Sequence, residues 1–287
     1  MTARCIYCLQ GHEEPFDKAH VFPESVFGDH EYLFLSKGEV CHSCNNVLSR
    51  LEKKFQSNLS VLPLMVGPGF NKKGKPTTID AAGLRATRDP RDPRIVINLG
   101  TTPYRATDGQ LVRPAKKPEG LEVIHQGQDE AGHHFQITHS FRLVIIARML
   151  AKIAFETLCF EQGPVYCCDP RWDKVRAFIL KGVGPRTCAV PKEWSIRVGP
   201  DGTLNLPKGI RLAGIDDPEV GAEADHYWIA FIGIGAPFAI DLSPENVVLA
   251  RFFEKQPGAA DLAQLVTFGA PSARRRKHAI TKNRLVR

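Results

Sequence analysis

Two Cys-x-x-Cys pairs, Cys5 with Cys8 and Cys41 with Cys44, lie within the first 45 residues of the chain. Each pair places two thiols on one tight turn. Two such turns brought together give Zn²⁺ four thiolates in tetrahedral geometry. A segment of about sixty residues buries little apolar surface on its own, and a metal staple offsets that shortfall. Cys5, Cys8, Cys41 and Cys44 therefore read as ligands of a structural zinc. Cys159, Cys167, Cys168 and Cys188 lack this spacing and read as buried thiols.

The runs "CIYC", "AHVFPES" and "CHSCNN" place a histidine between the pairs and an asparagine directly after the second. Over residues 5–57 this pattern resembles the HNH, or ββα-metal, endonucleases, in the form whose two Cys pairs carry zinc. The resemblance implies a β-hairpin leading into a helix, with a catalytic Mg²⁺ or Mn²⁺ between them. It implies that His20, followed by Val21, Phe22 and Pro23, is the general base. It also implies that Asn45 binds the catalytic metal. The chemistry suits these types. A neutral imidazole takes a proton from water near pH 7, and a hard cation stabilises charge on the phosphate. Members of the family carry Asp or Glu directly before the histidine, where this chain has Ala19.

The net charge of +7 is unevenly spread. The tail 271–287 holds seven Lys and Arg and no acid, so the rest of the chain sums to zero. Residues 1–60 hold six basic and eight acidic residues, whereas 68–120 hold eleven basic against five acidic. Basic groups beside an acidic module can neutralise a phosphate backbone. The expected nucleic-acid contacts are Arg50, Lys53, Lys54, Lys72, Lys73, Arg274, Arg275 and Arg276. The start of the chain lacks the apolar core of a signal peptide. The longest uncharged apolar run, Tyr227 to Ile240, is too short to span a bilayer. These features lead us to expect a cytoplasmic protein with no membrane partner.

The expected fold class is α+β: a zinc-stapled ββα module, then a larger α+β domain with two helices and an antiparallel sheet. The divisions expected are 1–60 for the module, 61–135 for a basic irregular or β connector, 136–270 for the accessory domain and 271–287 for a mobile basic tail. Val47, Leu48, Leu51 and Phe55 form one apolar stripe after Cys44, with Arg50, Lys53 and Lys54 opposite. Asn45 then sits at the helix start, where backbone dipoles favour anions. A second helix is expected from Phe141 to Gln162, capped by Ser140 and closed by Gly163-Pro164. A third is expected from Asp169-Pro170 to Gly182. Strands are expected at Ser195–Val198, His226–Gly233, Pro237–Leu242 and Val247–Phe253.

From these readings the chain is expected to be a metal-dependent endonuclease acting on nucleic acid, chiefly double-stranded DNA. Two alternatives stand beside it. One is a catalytically degenerate nucleic-acid-binding module on the same zinc scaffold, motivated by Ala19. The other is a partner-gated effector of a restriction or phage-defence system, engaging a protein partner through its C-terminal domain.

Overall fold

The computed structural model of the chain describes residues 4–11, 19–23, 39–59, 77–81, 84–89, 92–99, 104–105, 111–112, 121–129, 132–139, 142–191, 196–197, 208–214, 228–234, 237–256, 258, 261, 263–268 and 283–286. It is a mixed α and antiparallel-sheet fold. In chain order the elements are α1 (His42–Leu59), β1 (Thr77–Ala81), β2 (Leu84–Asp89), β3 (Asp92–Leu99), β4 (Tyr104–Arg105), β5 (Leu111–Val112), β6 (Leu121–Asp129) and β7 (Gly132–His139). There follow α2 (Leu143–Gln162), α3 (Pro164–Cys167), a 3₁₀ turn (Pro170–Trp172), α4 (Asp173–Lys181), β8 (Arg186–Pro191), β9 (Ile196–Arg197) and β10 (Lys208–Gly214). The last are β11 (Trp228–Ile234), β12 (Pro237–Asp241), α5 (Val248–Lys255), β13 (Ala263–Phe268) and β14 (Asn283–Val286).

α1 follows the expected stripe. Leu48, Leu51 and Phe55 are buried, while Arg50, Lys53 and Lys54 are exposed. α2 is the centre of the molecule, and every residue from Met149 to Cys159 is buried. It packs against α1, α3, α4 and the sheet strands β10, β11 and β12. The expected cap, Ser140, lies outside the described residues; the helix begins at Leu143, after Arg142, which makes no side-chain capping bond. Its buried apolar surface holds it instead, as for most helices in folded chains.

α4 ends at Gly182, whose φ of 72° is left-handed. Arg148 of α2 donates from Nε to Ile179 O at 3.0 Å, and from Nη2 to Ile179 O and Leu180 O, each at 2.7 Å. It thus satisfies carbonyls that the end of a helix leaves open, and places a cation at the negative end of the dipole. Gly182→Ala should cost about 1–2 kcal/mol through the left-handed backbone. Its Cβ would also meet Arg148 Cδ at 3.4 Å. Chemical denaturation measures the loss, and a variant as stable as the parent would contradict it.

The main sheet runs β10-β11-β12-β8-β13, with all pairs antiparallel. β8, β10 and β13 were not expected from sequence. A second sheet, β6-β7-β14-β9, includes one parallel pair, β14 with β9. β14 falls within the tail expected to be mobile, so that reading is corrected at Asn283–Val286, which pairs with β7. β1, β2 and β3 pair in that order as an antiparallel sheet.

A further correction falls at Val247–Phe253, expected as a strand but folded as helix α5 over Val248–Lys255. The cause lies upstream. Asp241 Oδ2 accepts from Leu249 N at 2.9 Å, putting a carboxylate at the N-terminus of α5. Val248 and Leu249 are buried, and Phe252 packs edge-on against Phe231 of β11 with ring centroids 5.7 Å apart.

One buried cluster joins the N-terminal segment to the rest. It includes Cys5, Ile6, Tyr7, Val21, Val40 and Leu48 together with α2, Trp172, Phe178 and strand residues Cys188 and Ile240. A chain of rings crosses it. Tyr7 meets Phe155 at 5.7 Å, Phe155 meets Trp172 at 6.1 Å, and Trp172 meets Tyr166 at 5.6 Å. Tyr166 OH then accepts from Trp228 Nε1 of β11 at 3.0 Å.

Candidate metal centre and the adjoining charge network

The first Cys turn closes on itself. Leu9 N donates to Cys5 O at 2.9 Å, and Cys5 N donates to Gln10 O at 3.1 Å. The turn requires Leu9 at φ 60°, a left-handed conformation that strains a branched side chain. Ile6 N donates to Glu39 O at 2.8 Å, tying this turn to the one that precedes α1. In the second pair, Cys41 O accepts from Asn45 N at 2.9 Å, so Cys41 opens the helix and Cys44 sits in its first turn. Helix N-termini favour thiolates.

The four sulfurs lie within 4.8 Å of one another. Cys8 Sγ and Cys41 Sγ are 3.8 Å apart. Tetrahedral zinc with bonds of about 2.3 Å sets its sulfurs about 3.8 Å from each other. Cys41 N also donates to Cys5 Sγ at 3.4 Å. A hydrogen bond from the Cys44 thiol holds Cys5 down at about 4, while burial pushes Cys8 up to about 11. Donating to Cys5 raises Cys44. Zinc binds thiolates, so a metal bound here would displace the thiol protons. The cluster fits zinc by distance, donor type and burial.

His20 lies in a described stretch of residues 19–23. Ala19, Val21, Phe22 and Pro23 are buried there, and His20 alone is half-buried. Position 19 is alanine, 1 % exposed, and supplies no carboxylate. Asn45 is half-buried in the first turn of α1. Arg50, Lys53 and Lys54 line the exposed face of α1. Lys72, Lys73, Arg274, Arg275 and Arg276 fall outside the described residues.

Sequence reading missed a buried charge network beside this centre. Lys152 Nζ, on α2, lies 2.9 Å from Glu156 Oε2 and 3.1 Å from Glu52 Oε1 of α1. The same ammonium donates to the carbonyls of His20 and of Val21, the latter at 3.0 Å. Tyr7 OH donates to Glu156 Oε1 at 2.7 Å. Burial pushes Glu156 up to about 7 against the opposing pull of Lys152 and Tyr7. Burial and the Glu156 charge raise Tyr7. Lys152 is raised because Glu156 and Glu52 outweigh its own desolvation. A sequence signal existed: Lys152 and Glu156 are an i,i+4 pair on a helix apolar on all sides, where no water-facing side is left for them.

No protein-family model, curated protein or solved structure matches the chain. Among the described residues, no helix is long and apolar enough to cross a membrane.

Proposed function

We propose that the chain is a metal-dependent endonuclease whose N-terminal segment is stapled by zinc on Cys5, Cys8, Cys41 and Cys44. His20 acts as the general base and Asn45 as a ligand of a catalytic Mg²⁺ or Mn²⁺. Supplied by this cation, positive charge stabilises the phosphate in the transition state. The substrate is nucleic acid, chiefly double-stranded DNA, contacted through Arg50, Lys53 and Lys54.

The observation that carries the reading is the clustering of the four cysteines on a turn and a helix start, with His20 displayed between them in sequence. That arrangement is the one the HNH resemblance calls for. A second reading, a zinc-stapled binding module without catalysis, is favoured by the buried Ala19. No acid there can complete the usual ligand set.

Supercoiled plasmid incubated with the protein and Mg²⁺ or Mn²⁺ separates the two. Nicking that disappears with chelator and falls at least about 10²-fold in His20→Ala supports the nuclease. Salt-sensitive binding without nicking supports the second reading.

A further inference from the structure

The stretch 19–23 buries four of its five residues and leaves His20 half-buried. Its backbone is held from the side by one ammonium, since Lys152 Nζ takes the carbonyls of both His20 and Val21. That ammonium is itself fixed by carboxylates from two helices, Glu52 on α1 and Glu156 on α2. Glu156 is in turn held by Tyr7 from the first cysteine turn. Three parts of the molecule therefore converge on the peptide that carries His20.

A lysine 1 % exposed is an unfavourable choice for stability alone. An apolar residue of similar volume would serve packing as well or better. What the ammonium supplies is direction. An N–H donor aimed at a carbonyl fixes a peptide plane: the bond to the His20 carbonyl fixes the plane on the C-terminal side of His20, and the second, to Val21, fixes the residue that follows it. Apolar contact alone leaves the plane free to rotate.

We propose that Lys152 is a positioning residue for His20, locking the His20–Val21 backbone to α1 and α2 so that the Cα–Cβ bond carrying the imidazole is held in one direction. The inference rests on the nuclease reading for the role of His20, but the clamp itself is measurable apart from cleavage. Glu156 and Glu52 act through Lys152 by holding its ammonium in place.

The test uses the full chain loaded with zinc. Lys152→Met/Glu156→Gln removes the buried cation and anion together, so neither is left uncompensated. Zinc content and thermal unfolding report whether the variant folds. Glu52→Gln is the second variant, since its side chain is 23 % exposed and its loss empties no buried position. Amide hydrogen exchange over residues 19–22 reads the clamp, and kcat and KM on plasmid read the consequence.

The expected result is exchange faster by about tenfold or more in the double variant. In Glu52→Gln a smaller rise is expected. kcat should fall about 10²-fold with KM nearly unchanged. Unchanged exchange in variants that fold would overturn the clamp. Faster exchange with unchanged kcat would overturn the positioning role. If the wild type cleaves nothing while exchange still accelerates, the clamp stands but the nuclease reading fails, and positioning for catalysis fails with it. If the double variant does not fold, exchange and kcat in Glu52→Gln decide by the same criteria.

Discussion

Replacing Cys44 with serine is expected to abolish zinc binding and to unfold the N-terminal segment. Structural zinc contributes about 10–16 kcal/mol to small metal-stapled folds near pH 7. That exceeds most of the stability of an ordinary domain, about 5–15 kcal/mol. Loss of one thiolate leaves three, and the tetrahedral site is no longer closed. The damage should not stay local, because Ile6, Tyr7 and Val40 belong to the same buried cluster as α2. Zinc released by thiol modification, measured with a colorimetric chelator, should fall from one equivalent to near zero. The unfolding transition should move sharply downward. Cys188→Ala is the control: Cys188 is buried in β8, apart from the four clustered sulfurs. It should keep its zinc. A serine variant that melts with the parent would rule out a structural metal.

Lys152→Met alone should cost about 3–5 kcal/mol at neutral pH, the usual loss when one partner of a buried pair is removed. Glu156 is then left fully buried without its cation. The loss should depend on pH, and its sign follows from the carboxyl's position. In the folded chain Glu156 is pushed up to about 7 by burial, above the ordinary value of 4.5. A carboxyl raised on folding supports stability fully below about 4.5, and that support is lost as pH rises through about 7. Removing Lys152 takes away the largest opposing influence, so Glu156 rises further and the support is lost more steeply. The gap between variant and parent in urea unfolding should therefore be small near pH 5 and wide near pH 8. Adding Glu156→Gln should close most of it. Equal gaps at both pH values would contradict this account.

These two expectations differ in how far the sequence announced them. The zinc cluster is written locally: Cys5 with Cys8 and Cys41 with Cys44 are each two residues short of adjacent, and their turns form from nearby backbone. α1 was equally readable, since Leu48, Leu51 and Phe55 repeat at the helical period. The Lys152 network was not, because its meaning lies in partners a hundred or more residues away. An i,i+4 Lys–Glu pair is ordinarily a solvated surface feature. The all-round apolar helix marks this pair as internal, but nothing near it in sequence names Tyr7, Glu52 and the His20 peptide as its partners. α5 failed for a related reason. Val247 to Phe253 is rich in β-branched and aromatic residues, which favour strands. The carboxylate that turns it into a helix is Asp241, on the preceding strand. Nothing within the segment itself reveals that.

The joining of the first cysteine turn to α2 has a consequence for biosynthesis. Tyr7 and His20 leave the ribosome well before Lys152 and Glu156, which they grip in the finished protein. At roughly 5–20 residues per second, the delay is on the order of ten seconds. During that interval the cysteines are available to zinc, but Ile6, Tyr7, Val40 and Leu48 have no helix to cover them. The nascent chain is most exposed to aggregation and proteolysis then. A chain whose four cysteines took zinc in that interval would gain its staple before α2 exists to cover the same residues.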